Sequence, residues 1–162
     1  RYEYPLTGCE YAEPLEMELG RLAADKTPET LRRIVAGELP ALPQDECFMS
    51  LTRKIKKEHG RIDWARPAVE LDAMIRAYHP WPGAGFSLSG AGRDLMLRVT
   101  AAKVCEDISG EPGEVIRADK KQWVIACGSG ALEILGVVPE GKKEMSGADF
   151  LRGCPVMVGV VL

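Results

Sequence analysis

The side chains that most often carry catalysis are few in this sequence, and they do not form a recognisable set. Its 162 residues include two histidines, His59 and His79, and neither has the spacing of a zinc-binding motif or a nucleophile triad. Asp63 and the adjacent Glu106 and Asp107 are carboxylates without an evident second partner for acid–base work. We therefore predict no catalytic residues and no metal site in this chain.

The glycine and cysteine patterns also lack the spacing of a cofactor site. Segments 83–85 and 128–130 are glycine-rich, but neither has the Gly-x-Gly-x-x-Gly spacing nor the Lys-Ser/Thr of a P-loop, and we predict turns there. The five cysteines lie at least 22 positions apart, which excludes a Cys-x-x-Cys pair, and their odd number argues against a complete disulfide framework. We expect no cofactor and a reducing, cytoplasmic location.

No segment of the sequence predicts a membrane partner. The apolar stretches are far shorter than the roughly 18 to 20 residues of a membrane span, and no signal peptide is recognisable. The first residue is Arg1 rather than Met, and we expect the chain to be a fragment of a longer protein.

A cluster of cations is the feature best suited to binding a ligand. The net charge is −3, yet residues 1–46 carry 10 acidic and 5 basic side chains, residues 47–67 carry 2 and 6, and the rest carry 12 and 10. Such cations can neutralise phosphates, or they can form a solvated linker. The candidate nucleic-acid contacts are Arg53, Lys54, Lys56, Lys57 and Arg61, and Lys142 and Lys143 add charge further on. Lys120 and Lys121 are candidates for extending the same patch.

Aromatic side chains could add base stacking to such a surface. Trp81 and Trp123 are the candidates, because stacking on aromatic rings accepts any base. Trp64, Trp81 and Trp123 nevertheless all lie within apolar patterns, which favours a place in the core for each of them.

The elements that precede the cations are predicted to be helical. Leu15, Leu19 and Leu22 form one helical stripe after a possible capping box at 7–10. Thr27 and Pro28 have the pattern of a second helix start, and Gly37 that of its end. We therefore predict an αα hairpin over residues 1–38, followed by an extended, basic linker over residues 39–60.

The elements that follow the cations are predicted to form a small β domain over residues 61–162. A helix begins near Pro67 and ends before Pro80, and a last short helix starts at Ser146. Between them the apolar pattern alternates in five short strands, and residues 156–162 are a candidate edge strand. The predicted fold is mainly β with flanking helices, an OB-like small antiparallel barrel.

Four segments resemble the C-terminal part of methionyl-tRNA formyltransferase. They are residues 61–64 (Arg-Ile-Asp-Trp), residues 75–84 (from Ile-Arg-Ala to Pro-Trp-Pro-Gly-Ala), residues 126–132 and residues 139–151. Residues 5–7, the predicted helices and residues 43–46 also resemble the end of the family's catalytic domain, so the resemblance covers about residues 5–153.

The resemblance implies a fold and a function for the chain. The family has a Rossmann-like N-terminal domain, which holds 10-formyltetrahydrofolate and the catalytic Asn, His and Asp, and an OB-like C-terminal domain that helps hold initiator tRNA. The catalytic set has no position in this chain, which is therefore expected to be inactive alone. Lys54, Lys56 and Lys57 stand where the family has cations that face the tRNA. The implied function is to position initiator Met-tRNA for a catalytic domain that this chain lacks.

Two other functions remain open on the sequence. The chain could belong to a related folate-dependent formyltransferase or hydrolase acting on another substrate, because such enzymes carry comparable C-terminal domains. It could also be a standalone interaction module without tRNA binding, and the apolar stripe of the N-terminal helices makes self-association plausible.

Overall fold

Three α-helices and one six-stranded sheet make up the part of the chain that the computed structural model describes, residues 2–43, 45–90 and 93–162. Arg1 and Gln44, mentioned above, lie outside these residues. The helices are α1 (Ala12–Val35), α2 (Ala68–Ala77) and α3 (Gly147–Gly153). The strands are β1 (Ala84–Gly90), β2 (Arg93–Cys105), β3 (Val115–Ala118), β4 (Trp123–Ala126), β5 (Ala131–Pro139) and β6 (Met145–Ser146). None of the helices described is long and apolar enough to cross a membrane.

The prediction of an αα hairpin is wrong, because α1 is one continuous helix of 24 residues with Pro28 inside it. The Thr27 hydroxyl donates to the carbonyl oxygen of Ala23 at 2.6 Å, four residues back, and so does not cap a new helix. Thr30 bonds to Lys26 in the same way at 2.7 Å. Pro28 removes one backbone donor from the helix, and the helix nevertheless continues through it.

Helix α1 ends at a glycine, as predicted. Gly37 has a φ of +73°, and its N–H donates to Ile34 while that of Glu38 donates to Arg33, which together form a Schellman motif. Between this point and α2, the described residues include two short 3-10 turns, Glu46–Phe48 and Lys57–Gly60.

The five predicted strands are confirmed, and they form one antiparallel sheet with a sixth, shorter strand. The order is β1-β2-β5-β4-β3, and β6 pairs with β5. The sheet curls into a half-barrel. The half-barrel is open, because β1 and β3 lie at opposite ends of the strand order. The closure of an OB-like barrel is therefore not confirmed. The fold is mixed α/β, with α2 and α3 packed against the sheet.

Aromatic side chains form the centre of the core. Trp64 contacts Phe86 with ring centroids 5.2 Å apart, and Phe86 contacts Trp123 at 5.9 Å. Trp123 stacks on Phe150 of α3 at 5.3 Å. This row joins the segment before α2 to β1, β4 and α3, while Leu71 and Ile75 of α2 are fully buried beside it.

The expected edge strand at residues 156–162 is replaced by an irregular segment along β3. The N–H of Val115 donates to Val160, the N–H of Gly159 donates to Val115, and only Val161 forms an isolated bridge, to Glu114. A turn at Gly159, with a φ of +85°, interrupts the extended backbone. The segment covers the edge of the sheet without adding a strand, which limits open-edge pairing.

Candidate nucleic-acid interface

All seven cations selected from the sequence are exposed, and most have no carboxylate partner. Lys56 pairs with Glu58 at 3.6 Å, and no other member of the set is ion-paired within the described residues. The cations of α1 differ, since Arg21 pairs with Glu18 and Arg33 with Glu38. Unpaired cations are free to meet phosphates. The set is Arg53, Lys54, Lys56, Lys57, Arg61, Lys142 and Lys143.

A close backbone contact anchors the basic linker to the sheet domain. A Cβ atom on Gly60 would lie 2.0 Å from the carbonyl oxygen of Gly83, so only glycine allows this approach. Two residues later, the N–H of buried Ile62 donates to Gly85 of β1 at 2.8 Å. Arg61, between them, forms a parallel bridge with Gly85. The end of the linker therefore has a fixed place on the β1 edge.

Arg98 is a further cation of this surface that the sequence analysis missed. Arg61 is bridged to Gly85, and Gly85 is paired with Arg98 of β2, so the two arginines share one line across the strands. Two strand spacings put their Cα atoms about 10 Å apart. Arg98 is exposed between buried Leu97 and Val99. The alternation of apolar and polar residues along β2 is the sequence signal that could have identified Arg98 as exposed. We name Arg53, Lys54, Lys56, Lys57, Arg61 and Arg98 the basic strip.

Lys142 and Lys143 lie in the turn between β5 and β6, beside the same stretch of β2. Pro139 at the end of β5 pairs with Leu97, and the N–H of Glu140 donates to Met96 at 3.0 Å. The turn closes through the N–H of Lys142 to the oxygen of Pro139 at 2.9 Å. This pairing places the turn two residues along β2 from Arg98, so its lysines adjoin the basic strip.

Lys120 and Lys121 do not extend this patch. They lie in the turn between β3 and β4, and β3 is the end of the sheet opposite to β1. The Asp119 carboxylate accepts the N–H of Lys121 at 2.7 Å and so holds that turn. The N–H groups of Lys121 and Gln122 lower the pKa of Asp119, which keeps a negative charge beside the two lysines.

The described residues bring no catalytic constellation together. His59 Nδ1 accepts the N–H of Lys56 at 3.2 Å, and the His79 ring packs edge-on against Tyr11. Burial raises the pKa of the Cys127 thiol to about 11, so it is a poor nucleophile at neutral pH. Groups of three or more His, Cys, Asp or Glu that could hold a metal ion do not occur in residues 2–43, 45–90 and 93–162.

An open cavity adjoins the basic strip. Its volume is about 470 Å³, and Arg61, Asp63 and Leu162 are among the residues that line it. Because Arg61 and Asp63 carry opposite charges, the cavity favours neither an anion nor a cation. The chemistry that this region offers is therefore attraction of an extended anion along the exposed basic strip.

The fold and the match to a known family define the class of this protein. The family of the formyl transferase C-terminal domain matches residues 54–155, which include the sheet, α2, α3 and most of the basic strip. The chain belongs to this family.

Curated relatives of this chain carry a more specific name. The methionyl-tRNA formyltransferase of Methylacidiphilum infernorum (isolate V4) is 40% identical over 152 residues, which are 93% of this chain and 48% of that protein. The enzyme of the same name from Parvibaculum lavamentivorans is 41% identical over 150 residues, again 93% and 48%. This chain thus spans about half the length of the curated relatives it matches.

Solved structures share the fold at lower identity. HypX from Aquifex aeolicus, in complex with tetrahydrofolic acid, matches with a TM-score of 0.62 and 21% identity, over 91% of this chain and 26% of that one. A likeness at this identity supports the fold alone.

Proposed function

We propose that this chain is the tRNA-binding C-terminal portion of a methionyl-tRNA formyltransferase. It positions initiator Met-tRNA for formylation from 10-formyltetrahydrofolate by a catalytic domain outside this chain. The observation that carries the proposal is the basic strip, whose cations are exposed and mostly unpaired and whose Arg61 is bridged to the β1 edge. The relatives named above favour tRNA as the polyanion, since methionyl-tRNA is part of their name.

The basic strip supplies attraction and the sheet domain supplies position. Each phosphate that a lysine or arginine neutralises releases counterions, which strengthens binding without reading the sequence. The linker carries Lys54, Lys56 and Lys57, whereas Arg61 and Arg98 lie on one line across the strands. A fixed line of cations holds the RNA in one orientation, and orientation of the methionine amino group towards a formyl donor accelerates transfer.

The chain divides into three parts under this proposal. Residues 1–38 are a remnant of the catalytic domain, residues 39–60 are the linker, and residues 61–162 are a C-terminal domain that uses its half-barrel in the manner of an OB fold. A cytoplasmic location fits the five cysteines, none of which forms a disulfide in this structure.

Binding of initiator tRNA across a salt series tests the proposal. We expect measurable affinity for the whole chain at low salt. The logarithm of the association constant should fall linearly as the logarithm of the salt concentration increases. The variant Lys54→Ala/Lys56→Ala/Lys57→Ala should bind more weakly, and its slope against log salt should be shallower by about 2, because up to three phosphate contacts are lost.

Lys120→Ala/Lys121→Ala is the matched control, since it removes exposed lysines at the opposite end of the sheet. It should leave both affinity and slope close to those of the unaltered chain. Undetectable binding at low salt, or equal slopes for all three proteins, would contradict the proposal. Turnover of 10-formyltetrahydrofolate by this chain alone would instead support an enzyme in its own right.

A further inference from the structure

We propose that Trp81 is a stacking site for an unpaired base of the RNA that lies on the basic strip. The inference rests on the proposed RNA-binding function and adds to it a contact without charge. Its ligand is a single nucleobase within a phosphodiester chain. Aromatic side chains beside a positively charged groove commonly bind single-stranded nucleic acid in this way.

Exposure sets Trp81 apart from the other two tryptophans. Trp64 is 6% exposed and Trp123 is fully buried, whereas Trp81 is 62% exposed. Trp64 and Trp123 belong to the aromatic row of the core, and the Trp81 ring belongs to none of the aromatic pairs in the described part of the chain. The expectation that all three tryptophans are core residues is therefore wrong for Trp81. Its indole offers a free π face, the feature that stacking needs.

The backbone around Trp81 is constrained. Proline residues precede and follow it, and each pyrrolidine ring fixes its own φ. The turn is closed by the N–H of Gly83, which donates to the carbonyl oxygen of Tyr78 at 2.9 Å. A side chain on a constrained backbone loses less conformational freedom when it binds a ligand, so more of the stacking energy becomes affinity.

The same turn lies between Arg98 of the basic strip and the linker residue that precedes Arg61. Gly60, the last residue before Arg61, lies so close to the turn that a Cβ on it would be 3.6 Å from Cγ of Pro82. On the other side, a Cβ on Gly83 would lie 2.3 Å from Cδ of Arg98, so the Arg98 side chain crosses that glycine. Trp81 therefore sits in a turn that contacts the Arg98 side chain and the residue just before Arg61. A strand of RNA held by these cations would bring its bases within reach of the indole.

Affinity measurements on Trp81 variants separate stacking from charge attraction. We expect Trp81→Ala to weaken tRNA binding about 5- to 150-fold at every salt concentration, because one base loses its stacking partner. The slope against log salt should be unchanged, since no phosphate contact is lost. Trp81→Phe should retain much of the affinity, whereas Trp81→Leu, which keeps apolar volume but no ring, should resemble Trp81→Ala. The exposed position predicts that all three variants melt like the unaltered chain.

Tryptophan fluorescence gives a second, direct measurement. Since Trp64 and Trp123 are buried, acrylamide quenches mainly Trp81. Binding of tRNA should lower the tryptophan emission, and acrylamide should quench the remaining emission less. Both effects should disappear in Trp81→Phe. A single-stranded RNA oligonucleotide should quench more strongly than an RNA duplex of the same charge.

The outcomes distinguish the two proposals. If Trp81→Ala binds tRNA like the unaltered chain and the fluorescence does not respond, while the lysine variant still loses affinity, stacking is wrong and the basic strip stands. If no tRNA binds at low salt, both are wrong. If Trp81→Ala changes the molecular mass in light scattering but not the tRNA affinity, Trp81 serves a protein contact and the stacking proposal is overturned.

Discussion

Helix α1 and helix α2 show two different ways in which this chain makes a helix. α1 is more than twice as long as α2, yet none of its 24 residues is buried. The ten residues of α2 include three buried ones, Ala68, Leu71 and Ile75, which pack on the sheet. Local hydrogen bonds and exposed ion pairs maintain α1, while burial of apolar surface maintains α2. The length of an element therefore says little about its contribution to global stability.

The attachment of α1 to the sheet domain is narrow and polar. The Tyr11 hydroxyl donates to the carbonyl oxygen of Thr100 at 3.2 Å, and the Arg76 guanidinium donates to that of Glu10 at 3.1 Å. Arg76 is itself held by Asp72 at 3.0 Å. The two residues just before α1 are thus tied to α2 and β2, while apolar residues further along the helix, such as Leu31, remain exposed.

Alanine substitution of one leucine in each helix should show the largest difference between α1 and α2. Leu71→Ala removes a fully buried side chain from α2 and should lower the free energy of unfolding by about 2–5 kcal/mol. Leu31→Ala, at a position 55% exposed in α1, should change it by no more than about 0.5 kcal/mol. Urea denaturation followed by tryptophan fluorescence measures both. Equal losses would mean that α1 packs on the core in solution.

Glycine substitutions should have opposite signs in the two regions. A Cβ on Gly128 would lie 1.9 Å from the backbone oxygen of Ala65, so Gly128→Ala should destabilise the sheet domain by about 1–3 kcal/mol. Gly20 is inside α1 and a Cβ there meets nothing within 4 Å, so Gly20→Ala should stabilise the helix by about 0.5–1 kcal/mol.

Thermal melting should report the Gly128 change, and helix content from circular dichroism should report the Gly20 change. A lower helix content for Gly20→Ala would contradict the view that local interactions maintain α1. A Gly128→Ala variant with unaltered melting would show that the strand turn moves aside without cost.

Acid should loosen the start of the N-terminal region before it affects the sheet domain. Hydrogen bonds from the Thr7 hydroxyl and from the N–H groups of Thr7 and Gly8 hold the pKa of the exposed Glu10 carboxyl at about 2. A depressed pKa stabilises the folded turn above the ordinary value of 4.5, and this contribution is lost as pH falls towards 2.

Titration of the Glu10 carboxyl by NMR checks this expectation. The midpoint should be near 2 and should increase in Thr7→Ala, and the amide signals of Thr7 and Gly8 should shift with it. Glu10→Gln should abolish those shifts. A midpoint near 4.5 in the unaltered chain would show that the turn does not persist in solution.

Much of the fold was predictable because its signals are local. Alternating apolar residues predicted five strands, and all five are present. The cap at Ser146 was also predictable, since its side chain accepts the N–H of Asp149 at 3.0 Å. Thr27 and Pro28 are an equally local signal, but the second helix start that they predicted does not occur. A threonine hydroxyl can donate to a carbonyl one turn back within a helix as well as cap a helix.

The candidate site was predictable in part for the same reason. The linker cations are adjacent in sequence, so their charge density is visible without a structure. Arg98 was not assigned to the site, and Trp81, although a stacking candidate, was expected in the core, because the position of each depends on neighbours distant in the chain. Arg98 acquires its place only when β1 pairs with both Arg61 and β2.

The sequence by itself determined the charge segregation, the period of the strands and the resemblance to a family of formyltransferases. These are properties of residue type and short spacing, which set local hydrogen bonding and burial preference. Only the tertiary structure decided that the sheet remains open, that Arg61 and Arg98 share one line and that Trp81 alone among the tryptophans faces solvent. The reason is physical, since burial and strand register depend on contacts between segments that the chain separates by many residues.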